Sequence, residues 1–490
     1  MPWIVGAEAV AGRGVMRGVD NNVVTRHRLL YRSRGPGWPA NDAFPRGVRV
    51  DLFVVGAGTV GLTTAVGFCG LGHRVVVHDV DAERIAALSS GRSPIFEAGL
   101  EEAIRSRLDS AALRFTSDPT PGRDIKVAIV CVPTPMSADG LLDTVHVESV
   151  VARLLREMPA DGTIAVRSTL PLHGPDRLEV IAADHPRRSA IVVNPEFMRE
   201  GRALADFASP SRVVVGYLGA GDRPAAEQFA TLYEPLRAPL LVADAPSVVL
   251  IKLASNVFLG AKIAFANELA RLSDALGADV STVADGIGLD PRIGRAFLDS
   301  GPGFGGSCLP EQAEAIAIET SRRGVNTPFL AAIATSNRVH QEALVSAVER
   351  SLTGGLQGAR IALLGLAFKA QTDDVRRSPA LALARDLRAR GARVIGYDPV
   401  ANGTACLADP ELLTAPTAAQ AIAGADAIVV ATEWPDFATL DWHSLAPTMR
   451  GDLVYDTRRS LAGDAVRNAG LRYVALGQAR SQADESTPKG

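Results

Sequence analysis

Residues 49–81 constrain the fold more than any other stretch of the chain. An apolar run, VRVDLFVV, leads into GAGTVG, then a segment of helical character, TTAVGFCGLG, then a second apolar run, HRVVVHD. This order of strand, glycine loop, helix and strand is the setting in which a GxGxxG pattern has physical meaning. Gly56 permits the tight turn, Gly58 lets backbone meet a pyrophosphate, and Gly61 lets helix and strand pack closely. The helix N-terminus then offers free N–H groups and the positive end of its dipole to phosphates. Asp79 closes the second strand, about 20 residues after the glycines, where a carboxylate can hold both ribose hydroxyls and repel a 2′-phosphate. The unit predicts a Rossmann-type dinucleotide site with NAD favoured over NADP.

Further α/β units follow. The spacing predicts helices near 97–108 and 145–157, and strands at 125–132 (IKVAIVCV), 162–168 (GTIAVRS) and 189–195 (SAIVVNP). Apolar runs of this kind suit parallel strands covered on both faces. Polar residues stand just after them, where open α/β sheets place ligands: Thr134, Ser168, Thr169, Asn194, Glu196 and Glu200. After a glycine-rich linker at 353–358, ARIALLGLAFKAQTDDVRRSPALALARDLRARGARVIGYDP repeats the plan of 49–81, with RGARVIGYD beside LGHRVVVHD. The glycine fingerprint is missing there and the loop is longer and charged. A second Rossmann-like domain for a different phosphate ligand is expected.

Between these units, residues from about 246 to 286 read as one long helix, apolar around so much of its circumference that several sides must be covered. It would link the two domains or pack on its copy in a dimer. Lys252 and Asn256 lie four apart on it and share a face. A lysine in such company usually snorkels to the surface; beside an asparagine one turn on, it becomes a candidate for holding an oxyanion. Next comes GPGFGGSCLPEQ at 301–312, a glycine-rich loop that delivers Cys308. Taken alone, a free cysteine there favours burial over chemistry. Helices are expected near 311–323 and 328–350.

The totals exclude several classes. A net charge of −3 with 21% charged residues leaves no basic excess for nucleic acid or anionic membrane. The four cysteines, Cys69, Cys131, Cys308 and Cys406, are scattered without CxxC or Cys/His clusters, so no disulfide framework and no metal site is expected. No apolar run approaches the roughly 18–20 residues of a membrane span. With no signal-peptide pattern at the start, a cytoplasmic location is expected. Residues 1–48 read as a poorly ordered extension, 49–245 as the NAD-binding domain, 246–350 as a helical dimerisation region with the cysteine loop, 351–476 as the second Rossmann-like domain and 477–490 as a disordered tail. The expected fold class is α/β, two Rossmann-like domains joined by a long central helix.

Taken together, eight segments resemble the UDP-glucose/GDP-mannose dehydrogenase family and follow its order across about 49–475. They are GAGTVG (56–61), RSPIFEAGL (92–100), CVPTP (131–135), STLP (168–171), NPEFMREG (194–201), LIKLASNVFL (250–259), GPGFGGSCLP (301–310) and FKAQTDDVRRSP (368–379). The resemblance implies NAD-dependent, two-step oxidation of a nucleotide-sugar C6 alcohol to a carboxylate, most simply UDP-glucose to UDP-glucuronate. Carried over by position, Cys308 attacks the intermediate aldehyde, while Lys252 and Asn256 stabilise the oxyanion. Thr169 and Glu200 hold water and accept protons, and Glu196 shapes the site. Gly56, Gly58, Gly61, Asp79 and Arg84 hold NAD, with Thr134 and Thr169 near its nicotinamide half. Phe304 and Gly305 lie against the sugar, Lys369 and Arg376 contact the nucleotide sugar, and Arg292 reaches a neighbouring subunit's substrate, so a homodimer is implied. A role in polysaccharide or glycoside biosynthesis is implied by the family alone.

One stretch departs from the pattern. Family members usually read GGSCLPKD, whereas Glu311 and Gln312 stand here in the Lys and Asp positions. Glutamine hydrogen-bonds but neither carries charge nor accepts a proton, and losing one step's base costs about 10²–10⁴-fold in rate. The alternative expectation is therefore an impaired or non-catalytic nucleotide-sugar-binding homologue.

Overall fold

The computed structural model describes residues 49–185 and 188–478. The expected N-terminal extension and nearly all of the expected tail lie outside the described residues. Gly477 and Gln478 are the exceptions, and the Gly477 carbonyl accepts a hydrogen bond from the Val280 N–H at 2.8 Å.

Two parallel-stranded sheets form the framework. The first has eight strands: β1 Asp51–Val55, β2 Arg74–His78, β3 Leu113–Thr116, β4 Val127–Val130, β5 Thr163–Val166, β6 Ala190–Val193, β7 Val213–Tyr217 and β8 Leu240–Asp244. Their spatial order is β3-β2-β1-β4-β5-β6-β7-β8, with β7 antiparallel to β6 and every other pair parallel. The second sheet holds β9 Arg360–Leu364, β10 Arg393–Tyr397, β11 Leu413–Thr414, β12 Ala427–Val430, β13 Leu453–Asp456 and β14 Arg472–Ala475. Its order, β11-β10-β9-β12-β13-β14, repeats the doubly wound pattern of the first six strands. Each sheet has a switch point, between β1 and β4 and between β9 and β12, where the crevice at the strand ends accepts ligands. Residues such as Phe53, Ile164, Ile361 and Ile428 are buried because helices cover both faces.

The helix joining the sheets runs Ala245–Leu276, capped by Asp244, whose side chain accepts from the Ser247 N–H. It ends earlier than the sequence suggests. Gly277 takes a left-handed conformation (φ 70°) and Asp279 caps a separate helix, Val280–Gly288. The expectation that no apolar run is long enough for a membrane also needs correction: Ala245–Leu276 has the length and apolar composition of a span. Lys252 and Asn267 are nonetheless buried within it, and Val248, Leu253 and Val257 pack into the first core. That is the pattern of a core helix. It packs against the helices Cys308–Arg322 and Pro328–Ser351.

Candidate active site

Cys308 is itself the first residue of its helix, three positions before the start expected near 311. A helix N-terminus favours a thiolate through its unpaired N–H groups and dipole. Burial acts the other way and pushes the thiol up, although the Lys252 charge pulls it down; Glu196 and Glu200 add to the rise. Cys308 is nonetheless an exposed residue, with Ser307 Oγ 3.7 Å from its sulfur.

The glycines before it serve a purpose the sequence does not reveal. A Cβ on Gly305 would stand 2.6 Å from the Arg377 carbonyl oxygen and 2.6 Å from Pro379 Cδ. The Gly306 N–H donates to the Arg376 carbonyl at 3.0 Å. Missing side chains here let the cysteine loop dock on the 368–379 loop of the second domain. Phe304 is only 4% exposed, its ring packed in the core and its backbone clamped by Asn337 through bonds of 2.9 and 3.1 Å. Its backbone, not its ring, is what a sugar could meet.

Lys252 does not snorkel. It is 3% exposed and donates to the Glu196 carbonyl at 2.7 Å and to Glu196 Oε1 at 2.8 Å, with the Phe197 ring 5.4 Å away. Burial alone would raise the Glu196 carboxyl, but the Lys252 ammonium, together with the Met198 N–H, outweighs it and holds Glu196 below the usual range. Asn256, one turn on, donates from Nδ2 to Gln312 Oε1 at 2.9 Å. Gln312 is itself 3% exposed and lies one turn beyond Cys308 on the cysteine helix. The residue that departs from the family pattern is thus hydrogen-bonded to a residue expected to stabilise the oxyanion.

Glu200 stands where the first sheet's domain meets the second. Arg376 Nη2 donates to its Oε1 at 3.2 Å, and Lys369 Nζ donates to its backbone carbonyl at 2.5 Å. Its Oε2 is buried with no donor, while the Asp374 carboxyl lies within hydrogen-bonding reach of the side chain. Burial first, and then the Asp374 charge, raise Glu200 to about 7 against the pull of Arg376 and Lys369. Asp374 goes the other way: burial opposes, but Arg376 holds it below the ordinary range. One proton shared by two carboxyls is the simplest description. A cavity of about 310 Å³ opens beside this cluster, walled by Thr59, Phe96, Glu97, Glu200, Asp374 and Arg376.

On the dinucleotide side, Gly56 has φ 105° and its N–H donates to the His78 carbonyl at 2.8 Å. A Cβ on Gly61 would sit 1.9 Å from the Gly56 oxygen, whereas a Cβ on Gly58 would meet nothing within 4 Å. Gly61 therefore serves packing, and Gly58 faces open space that a pyrophosphate can fill. Asp79 accepts from the Ala57 N–H at 2.7 Å and from Arg84 at 3.3 Å, so Arg84 folds over the place a ribose would take. Thr134 and Thr169, both half-buried, follow β4 and β5 at the strand ends of the same crevice.

Not every candidate converges. Arg292 points into solvent, paired with Asp290 at 2.5 Å, and is not brought to the Cys308 cluster. Asn194 and Ser168 are consumed within the fold, Asn194 by Arg167 and Tyr233 at 2.7 and 2.6 Å, and Ser168 by the Val132 carbonyl at 2.6 Å. Sequence reasoning missed Asp374 and Glu97, although both lie in motifs it singled out. Among the described residues no group of three or more His, Cys, Asp or Glu could hold a metal ion.

Comparison with known proteins decides the family. Three domain models match in order: the family's NAD binding domain over residues 50–237, its central domain over 247–339 and its UDP binding domain over 362–463. This chain belongs to the UDP-glucose/GDP-mannose dehydrogenase family. The UDP-glucose 6-dehydrogenase of Rhizobium meliloti is 38% identical over 444 residues, spanning 88% of this chain and 100% of that protein. That of Pseudomonas aeruginosa is 36% identical over 448 residues, 88% and 98% of the two chains. The UDP-glucose dehydrogenase structure from the archaeon Pyrobaculum islandicum superposes with a TM-score of 0.80 at 34% identity, covering 89% of this chain and 100% of that one. Within the UDP-glucose/GDP-mannose dehydrogenase family frame, the first sheet belongs to the NAD binding domain and the second to the UDP binding domain. The cysteine loop lies where the two meet.

Proposed function

We propose that this chain oxidises the C6 alcohol of a UDP-hexose, UDP-glucose first among them, to the carboxylate in two NAD-dependent steps through Cys308. One observation carries the reading: Cys308, the Lys252–Glu196 pair, Asn256 and Glu200 cluster at the junction of the two nucleotide-binding domains. Gly56, Gly58, Gly61, Asp79 and Arg84 would hold the dinucleotide, with Thr134 and Thr169 toward its nicotinamide end. Bound NAD supplies hydride acceptance, once per oxidation. Lys252 spends two of its three protons on Glu196 and keeps one for a substrate oxygen. Asn256 keeps one amide proton for the same oxygen.

At the aldehyde stage the Cys308 sulfur bonds to the aldehyde carbon as its proton passes to the carbonyl oxygen, which would rest against Lys252 and Asn256. Loss of the C6 hydrogen as hydride to the nicotinamide acceptor, and of that hydroxyl proton to water, would turn the adduct into a thioester. Water deprotonated by Glu200 then attacks that carbonyl, the C–S bond breaks, and the sulfur regains a proton. At the far end of the cysteine loop a second cavity of about 350 Å³ is lined by Arg295, Arg458, Arg459 and Arg467 together with Asp299 and Asp464, and a diphosphate there would have to displace carboxylates that already pair with these arginines. Lys369 and Arg376 would contact the substrate between the two ends.

A homodimer fits the surface. Leu250, Phe258, Phe265, Leu272 and Leu276 stand exposed along the central helix, and Arg292 is exposed and paired only with Asp290, so in a dimer it would be free to turn toward a second copy. Four free cysteines suit a reducing cytoplasm.

Purified protein supplied with NAD and a panel of UDP-glucose, UDP-N-acetylhexosamines and GDP-mannose tests the reading. Two NADH per sugar acid are expected, and Cys308→Ser should lower acid formation about 10³-fold or more. Unchanged turnover in C308S would refute the covalent route. The neutral Asn256–Gln312 pair favours one second reading, an enzyme slow at the last step. It requires the sugar thioester to accumulate on Cys308 in intact-mass spectra; normal turnover without the adduct excludes it, and no NADH with any sugar points to a non-catalytic homologue.

A further inference from the structure

The RSPIFEAGL motif carries a buried carboxylate that the mechanism above leaves unused. Glu97 lies in the loop before the helix Leu100–Asp109, its side chain turned inward. Its Oε2 accepts from the Gly201 N–H at 2.8 Å and its Oε1 from the Ala203 N–H at 2.8 Å, across 104 and 106 residues of sequence. Two amides of one turn are thus chelated by a single carboxylate from another part of the domain. Those amides flank the turn immediately after Glu200. The turn is tight against the second domain, since Gly201 has φ 75° and a Cβ there would stand 2.3 Å from the Gln371 carbonyl oxygen. Glu97 and Glu200 also wall the same 310 Å³ cavity.

A rigid origin matters for Glu200. Its side chain must reach the cleft while Arg376 holds one oxygen and Lys369 holds its carbonyl, both from the second domain. If the 200–203 turn were loose, these second-domain contacts would draw Glu200 away from the thiol. We propose that Glu97 is a positioning residue, whose chelation of Gly201 and Ala203 fixes the turn that aims Glu200 at the Cys308 cleft. Burial raises the Glu97 carboxyl above its usual range, against the opposing pull of the Ala203 and Gly201 N–H groups and of Lys369. The groups facing Glu200 are Asp374, Arg376 and Lys369 from the second domain and Cys308 from the cysteine helix.

This inference rests on Glu200 acting in thioester hydrolysis, and the test separates the two. Glu97→Gln keeps the side chain's shape but replaces one acceptor by a donor facing an N–H; Glu97→Asp keeps the charge but is too short to span both amides. Full-length wild type, E97Q and E97D are checked for matching thermal melts. Peptide-level hydrogen exchange is then read over 198–208, and decay of the Cys308 thioester is followed by intact mass from pH 6 to 8. The expected result is exchange at least tenfold faster in that segment, thioester decay slowed at least tenfold, an altered pH limb, and NAD binding within about threefold of wild type. Unchanged exchange and decay in a folded variant overturn the proposal. So does loss of NAD affinity with decay unchanged, which would make Glu97 a cofactor-site residue. If one variant does not fold, the other decides; if neither folds, Glu97 is a stability residue and the proposal fails. Absence of any thioester in the wild type instead sinks the underlying reading, whatever Glu97 does.

Discussion

Glu200→Gln isolates the carboxylate that would activate water, and the surroundings of Glu200 set the size of the effect. Burial and the neighbouring Asp374 lift this carboxyl from an ordinary 4.5 to about 7. A base with that value is about 9% ionised at pH 6 and about 91% at pH 8, so hydrolysis should quicken roughly tenfold over that range. Removing it should slow the step by about 10²–10⁴-fold, or about 3–5 kcal/mol of barrier, and flatten the profile. The assay loads Cys308 in a single turnover, removes excess substrate, and follows decay of the adduct mass at pH 6, 7 and 8. Loading matters: the esterified sulfur no longer titrates, and Asp374, held below its ordinary range by Arg376 despite burial, stays charged throughout.

Linkage supplies an independent sign. A carboxyl raised in the folded state contributes stability that is complete below pH 4.5 and is lost as pH rises through about 7. At about 1.4 kcal/mol per unit, wild type should therefore lose about 3 kcal/mol relative to E200Q between those limits. A tenfold pH limb that survives in E200Q, or a stability gap that does not move with pH, refutes the assignment of this proton to Glu200.

Two further outcomes follow from the geometry. Gly58→Val should raise the NAD dissociation constant more than tenfold by titration calorimetry while leaving the melting temperature near wild type, whereas Gly61→Val should lower the melting temperature outright, because a Cβ at 61 meets the Gly56 oxygen at 1.9 Å and one at 58 meets open space. Equal effects on both properties would contradict that division. Phe258→Asp combined with Phe265→Asp should convert a dimer to monomers in light scattering, since these side chains are 62% and 51% exposed on the central helix; a dimer that persists places the interface elsewhere.

Central strands were legible because burial on both faces leaves runs such as AIVV and RIALL almost continuously apolar. Peripheral strands were not: β3 carries an exposed Arg114, and β11 is two residues. The break at Gly277 was hidden by apolar periodicity that continues beyond it. In the site, motif position located Cys308, Lys252 and Glu200, but not their partners. Lys252 meets Glu196 and Asn256 meets Gln312 across 56 residues in each case, and such pairing depends on tertiary packing that local spacing does not encode. The lysine's burial follows from the same contact, since without Glu196 an apolar helix face would have sent it to the surface.

The two Rossmann halves show how far a shared plan determines use. In the second, the Gly365 N–H donates to the Tyr397 carbonyl at 2.7 Å and the Leu366 N–H to Asp398 Oδ2 at 2.8 Å. These copy Gly56 to His78 and Ala57 to Asp79 in the first, at 2.8 and 2.7 Å. One glycine of the apparently missing fingerprint is therefore present, at φ 90°. Yet Asp398 is 1% exposed and accepts from the Trp434 indole at 3.1 Å, so the place a ribose would take is filled by protein. Closing that crevice leaves the following loop, 368–379, to do other work. It receives the glycines of the cysteine loop on one side and engages Glu200 on the other. The charge in FKAQTDDVRRSP that distinguished this loop in sequence thus acts across the domain boundary, where Asp374 adds to the rise that burial gives Glu200, and Arg376 and Lys369 oppose it. Docking of the second domain and the proton state of Glu200 are consequently one equilibrium, and anything that shifts one must shift the other.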